Sequence, residues 1–200
     1  MLVMHEWAEI QIVWWFKHLG KGSMDSIDAL LRNVHELCVD HKKMKKSILA
    51  DWIPPRANTL KFNVDGSVRG KPGPAGIGGV LRDSNGKVLC LFSQFVGILD
   101  SNAAELWAIK NVVDLCLSSE QVQGREITVV SDSRVAVSWI NKGDFGDMED
   151  SNTILDIRSS LSAFGGLDVV FDSRVFNSLA DSLAKMGANQ TGDFVDWSDM

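Results

Sequence analysis

The sequence predicts an α/β fold: a five-stranded mixed sheet, three antiparallel strands then two parallel ones, flanked by helices. Three observations predict it. Residues 59–97 read as a meander of strands, two of them around a Ser84-Asn85-Gly86 turn. Beyond residue 100, short apolar strands alternate with helical stretches. Those stretches close on glycines, which take up the left-handed conformation that ends a helix.

Taken in order, KFNVDGS alternates in the strand period, with Phe62 and Val64 toward a core and Lys61, Asn63 and Asp65 on the other side. AGIGGVLRDSNGKVLCLFSQFVG supplies the next two strands. Residues 102–118 form a helix with Leu106, Ile109, Val113 and Cys116 on one stripe. EITVVSD is a short buried strand, and SRVAVSWINKG a helix closed by Gly143. Residues 150–163 form a helix closed by Gly165-Gly166. LDVVFDS is the last strand, and FNSLADSLAKMGA the final helix, closed by Gly187.

These elements define a domain over residues 59–189, with a tail at 190–200. Residues 1–58 are expected to form an N-terminal helical extension and linker. Residues 25–50 carry Ile27, Leu30, Leu31, Val34, Leu37 and Cys38 at helical spacing, with Asp25 or Ser26 as cap. The basic HKKMKK stretch suits the negative end of that helix. DWIPPRAN then breaks it, because a Pro-Pro pair favours extended chain. Trp7, Trp14 and Trp15 with Ile10, Ile12 and Val13 make an apolar patch. Packing against the domain or a protein partner is its expected use, rather than stacking on single strands.

Composition narrows the function classes. The 200 residues, 45% hydrophobic, suffice for one domain with an appendage. No apolar run is long enough to span a bilayer, so no membrane association is expected. The opening stretch has acids within it and lacks a basic leader, a poor secretory signal. Three widely spaced cysteines match neither a disulfide framework nor a zinc site, which suggests buried thiols in a nuclear or cytoplasmic setting. The net charge of −6 is uneven. Residues 1–58 hold eight basic and seven acidic residues, and residues 59–200 hold twelve and nineteen. A polyanionic partner is therefore not excluded, but weak binding is expected.

The acids carry the chemistry. Asp65 lies in a strand, although Asp-Gly is also a common turn pair. Glu105 opens a helix, where it also fits a capping box with Asn102. Asp132 ends a strand, a usual place for ligands in open α/β sheets and also for an N-cap. Asp181 lies on the final helix, where a solvated face is the simple alternative. A fold that gathers four carboxylates must neutralise them, since like charges at about 4 Å repel by ~4 kcal/mol at an effective dielectric near 20. Hard oxygen ligands select Mg²⁺ or Mn²⁺.

The blocks NVDGSVRGKPGPAGIGGVLRDSNG, SNAAELWAIK, VVSDSRVAVSWI and NSLADSLAKMG, in this order, resemble the ribonuclease H type 1 family. The similarity is to its plant reverse-transcriptase-like branch, whose members often derive from retroelements, and it covers roughly residues 59–189. It implies a ribonuclease H-like fold and a metal-dependent endoribonuclease that hydrolyses the RNA strand of RNA–DNA hybrids. It implies Asp65, Glu105, Asp132 and Asp181 as catalytic metal ligands for two Mg²⁺ ions, with Mn²⁺ as a substitute. In such two-metal sites the ions activate water and stabilise the leaving oxygen of an in-line displacement. The resemblance also implies substrate contacts at Gly66, Ser67, Asn102, Ser133 and Asn177, each of which has a turn or cap reading beside it. The Gly-rich GKPGPAGIGG is not a phosphate loop, since it lacks the Gly-Lys-Ser/Thr ending and precedes a strand.

One departure bears on activity. Many active relatives carry a His shortly before the last acidic motif, and this chain has Phe171 there. All four histidines (5, 18, 35 and 41) lie in the N-terminal part. General acid–base help is worth about 10²–10⁴-fold. The alternative expectation is therefore a weakly active or inactive nucleic-acid-binding module of retroelement origin. No basic protrusion for gripping a hybrid is evident either, since residues 141–150 are acidic instead, with four acids against one lysine.

Overall fold

The computed structural model of the protein describes residues 52–143, 150–189 and 193–197. The expected helix at 25–50, the Trp-rich patch, Cys38 and most of the acidic run after Gly143 lie outside the described residues.

The element order is β1 (Thr59–Val68), β2 (Gly73–Arg82), β3 (Val88–Leu99), α1 (Ser101–Ser118), β4 (Glu126–Ser131), α2 (Arg134–Lys142), α3 (Ser151–Phe164), β5 (Leu167–Phe171), α4 (Ser178–Gly187) and β6 (Phe194–Trp197). The sheet runs β5-β4-β1-β2-β3-β6. Strands β1 to β3 pair antiparallel, and β4 pairs parallel with both β1 and β5. The mixed α/β architecture matches the expectation, with one strand more. Phe194–Trp197, within the expected tail, pairs antiparallel with β3 and covers its edge.

β1 lies inside the sheet and is covered on both faces. Its apolar residues Leu60, Phe62 and Val64 are fully buried in the larger core, with Leu106, Ile109, Val112 and Val113 of α1. The opposite face packs a smaller core in which Val80, Val88 and Leu91 meet Leu183 of α4. That helix sits very close to the sheet: a side chain at Gly78 would meet Leu183 and Ala184 at 2.3–2.6 Å. The strand face that reads as polar is therefore not open to water, and Asn63 and Asp65 are buried at 2% and 4% exposure.

Helix ends depart from the expectation by small shifts. Gly143 and Gly165 are left-handed C-caps, as expected. Gly187 is not: it stays helical, and the space its side chain would fill belongs to the Gln94 backbone of β3. Asp100, not Asn102, caps α1, accepting from the amides of Asn102 and Ala103. Ser133, not Asp132, caps α2, accepting from the Ala136 amide.

Candidate metal centre

Asp65, Glu105 and Asp132 converge although 67 residues of chain separate the first from the last. One carboxylate oxygen of each lies within 4.8 Å of the others. The sheet explains this. β1 and β4 run parallel and adjacent, so Asp65, near the end of β1, and Asp132, just past β4, emerge at one edge. Glu105 reaches the same point from the first turns of α1. It does so because α1 lies directly on β1: a side chain at Gly66 would stand 2.4–2.6 Å from the backbone of Ala104 and Glu105.

The surroundings hold two of these acids in place. Ser131 Oγ donates to Glu105 Oε2 at 3.3 Å and accepts from the Ser133 amide at 3.0 Å. The Gly66 amide also donates to Glu105. On the other side, Asn177 Nδ2 donates to the Val64 carbonyl at 2.8 Å and lies 3.5 Å from Asp65 Oδ1. Asn177 Oδ1 accepts from Asn63, whose own Oδ1 accepts from the Trp52 indole.

Electrostatics set this cluster apart from an ordinary acidic surface. Burial, then the nearby Glu105, Asp132 and Asp181, push the Asp65 carboxyl well above its usual range. Burial and Asp132 do the same to Glu105, against the hydrogen bonds from Ser131 and Gly66. A group of hard oxygens, Asp65 buried and Glu105 and Asp132 half-buried, that resists being charged without a counter-ion fits a small divalent cation. Asp65, Glu105 and Asp132 are the residues that would hold it.

Asp181 stands at the margin. It influences Asp65 but is not in the close triad. Its carboxylate, only 13% exposed, is engaged by Arg174 at 2.8 Å and Lys185 at 2.6 Å.

The expected substrate contacts fall into different places. Asn102 is exposed in the first turn of α1, with its side chain not used as a cap. Ser67 is half-buried near the end of β1. Gly66 faces α1, and its missing side chain serves helix packing. The Ser133 hydroxyl caps α2. Asn177 is 2% exposed, with its amide spent inside the fold, so its place is behind Asp65 rather than on a substrate surface.

Sequence reading missed Ser131, Arg174 and Arg134. The Arg134 guanidinium stacks on the ring of Phe171, the residue that departs from the expected His, 4.1 Å from its centroid. Only the position of Phe171, six residues before Asn177, hinted at it.

A central strand and a parallel neighbour that carry carboxylates to one edge, with a helical Glu above them, define the ribonuclease H-like class. The chain belongs to the reverse transcriptase-like family, whose sequence pattern matches residues 63–187. A protein of Arabidopsis thaliana, provisionally named a ribonuclease H protein, is 39% identical over 93 residues. That match covers 41% of this chain and 15% of the relative. Among solved structures, a ribonuclease H1 isolated from compost by a metagenomic approach superposes with TM-score 0.61 at 27% identity, over 66% of this chain and 96% of that one. The same protein in complex with an RNA/DNA hybrid gives 0.59 at 27% identity, over 66% and 97%. Ribonuclease H1 from Halobacterium salinarum shares the fold, with TM-score 0.60 at 23% identity, over 66% and 98%.

Proposed function

We propose that the protein is a divalent-metal-dependent endoribonuclease acting on the RNA strand of RNA–DNA hybrids. The observation that carries this reading is the convergence of Asp65, Glu105 and Asp132 within 4.8 Å, on the scaffold that a ribonuclease H1 uses with a bound hybrid. A divalent ion held there, with a second in the two-metal form of the chemistry, supplies an activated water and stabilisation of the leaving oxygen.

The chain's own residues have separable tasks. Asp65 and Glu105 hold protons readily when no cation is present and release them on binding one, since metal ligands must be ionised. Ser131 and Gly66 orient Glu105, while Asn177 orients Asp65. Asn102, exposed three residues before Glu105 in the first turn of α1, is the residue this reading assigns to contact with a sugar–phosphate strand. Recognition of RNA in such a groove rests on its 2′-hydroxyls and A-form shape.

Phe171 favours a second reading, a weakly active or inactive module that binds hybrids. Its ring has no exchangeable proton and is covered by Arg134. A cleavage assay on an RNA–DNA hybrid, with Mg²⁺ and with Mn²⁺, separates the two. Under the first reading the wild type cuts the RNA strand and Asp132→Asn does not. Hybrid binding without cleavage supports the second reading, and cleavage by both proteins would sink the site assignment.

A further inference from the structure

A cation of the chain already stands among the four acids. Arg174 opens the short helical turn, Arg174–Phe176, between β5 and α4. Its Nη2 donates to Asp181 Oδ1 at 2.8 Å, and its Nε lies 3.9 Å from Asp132 Oδ2. It thus touches two acids from different elements and also feels the charge of Asp65. The side chain is 72% exposed while its two partners are 13% and 11% exposed. Packing does not hold the guanidinium there; negative charge does. Lys185 holds the other oxygen of Asp181, Oδ2, at 2.6 Å.

We infer that Arg174 is the resident counter-ion of the carboxylate site, and that a divalent ion binds by displacing it from Asp132 and Asp181. This rests on reading the acidic cluster as a metal site. The exchange follows from the chemistry of the two cations. A planar guanidinium suits one carboxylate edge-on, and it cannot serve three oxygens that converge on a point. A small divalent ion accepts an oxygen from each. Pairs with an exposed partner are weak enough to be exchanged. The competition raises the metal concentration needed to fill the site, and it spares the empty site unscreened repulsion.

The test is calorimetric titration of the full chain with Mn²⁺ at low ionic strength and constant neutral pH. R174Q is expected to bind Mn²⁺ roughly three- to tenfold more tightly than the wild type, the range an exposed pair or two can contribute. R174K keeps the charge and should stay near the wild type. R134Q removes a nearby charge that has no carboxylate partner among the described residues, and should also leave the affinity near the wild type. Without metal, R174Q should melt below the wild type, and Mn²⁺ should raise its melting temperature by more. Equal Mn²⁺ affinity in wild type and R174Q overturns the inference. So does an equal gain in R134Q, which would mean a general field effect. Failure of all the proteins to bind Mn²⁺ overturns the metal reading itself, and this inference with it.

Discussion

Asp65 combines burial with three acidic neighbours, and both act against its ionisation. Two consequences follow at the level of single residues. Asp65→Asn should abolish hybrid cleavage while leaving the fold intact. With no metal and near neutral pH it should also stabilise the protein, by about 1–2 kcal/mol, as expected where a functional group is held against its preference. Thermal melts beside the cleavage assay check both; full activity in this variant would refute the assignment. The second concerns pH. Both Asp65 and Glu105 are raised in the fold, so above the ordinary carboxylate range near 4 the native state keeps protons that the unfolded chain has lost. Stability contributed by these groups therefore falls as pH rises toward their folded values. Without metal, the melting temperature should drop between about pH 5 and about pH 8, and Mg²⁺ should flatten the drop by binding the ionised form. A rise over that interval would contradict the electrostatics. The acids themselves were legible in the sequence, because each sits at the edge of a recognisable element. Their supports were not. Asn177 meets Asp65 across 112 residues, and Ser131 meets Glu105 across 26. No local pattern announces such contacts. The Asn102 cap was misplaced because Asp100, two residues earlier, offers the same side-chain oxygen.

Among the elements, the contact of α1 with β1 decides whether Glu105 reaches the site. Gly66→Ala would put a methyl group 2.4 Å from the Ala104 backbone. It should cost ~1–3 kcal/mol of stability, as overpacking does, and lift Glu105 away from its partners. Mn²⁺ titration should show weaker binding than wild type even at temperatures where the variant is folded. Unchanged affinity would mean that α1 position does not set the site. Cys90 and Cys116 test the cores in the same way. Both are fully buried, and burial pushes both thiols up, so neither should react with alkylating reagents until the sheet unfolds. Mass spectrometry of labelled native and denatured protein reads this directly. Most of the element order was legible because apolar spacing and turn residues agree along the chain. β6 was not: four residues with no alternation to speak of become a strand only because β3 offers a free edge. Gly187 also misled, since a glycine near a helix end suggests a cap, and here the close approach of β3 requires it.

Over the whole molecule, the net charge of −6 limits how strongly a polyanion can be held. Hybrid affinity is expected to be on the order of 10⁻⁶ M or weaker at physiological salt, to fall further as salt rises, and to improve with divalent ions. Fluorescence anisotropy with labelled hybrid checks this, and nanomolar binding without metal would contradict it. The break at the Pro-Pro pair was legible from composition, but its role was not. Trp52, just before it, lies with its ring near the cations of Lys61 and Arg82, while its indole N–H donates to Asn63. Asn63 donates to Asn177, and Asn177 reaches Asp65. Each amide in that relay is turned by the one before it, so the orientation of the innermost carboxylate is inherited from an indole upstream of the first strand. Anyone trimming this protein to its smallest working piece should cut ahead of Trp52. A boundary drawn where the sheet begins would amputate the first link.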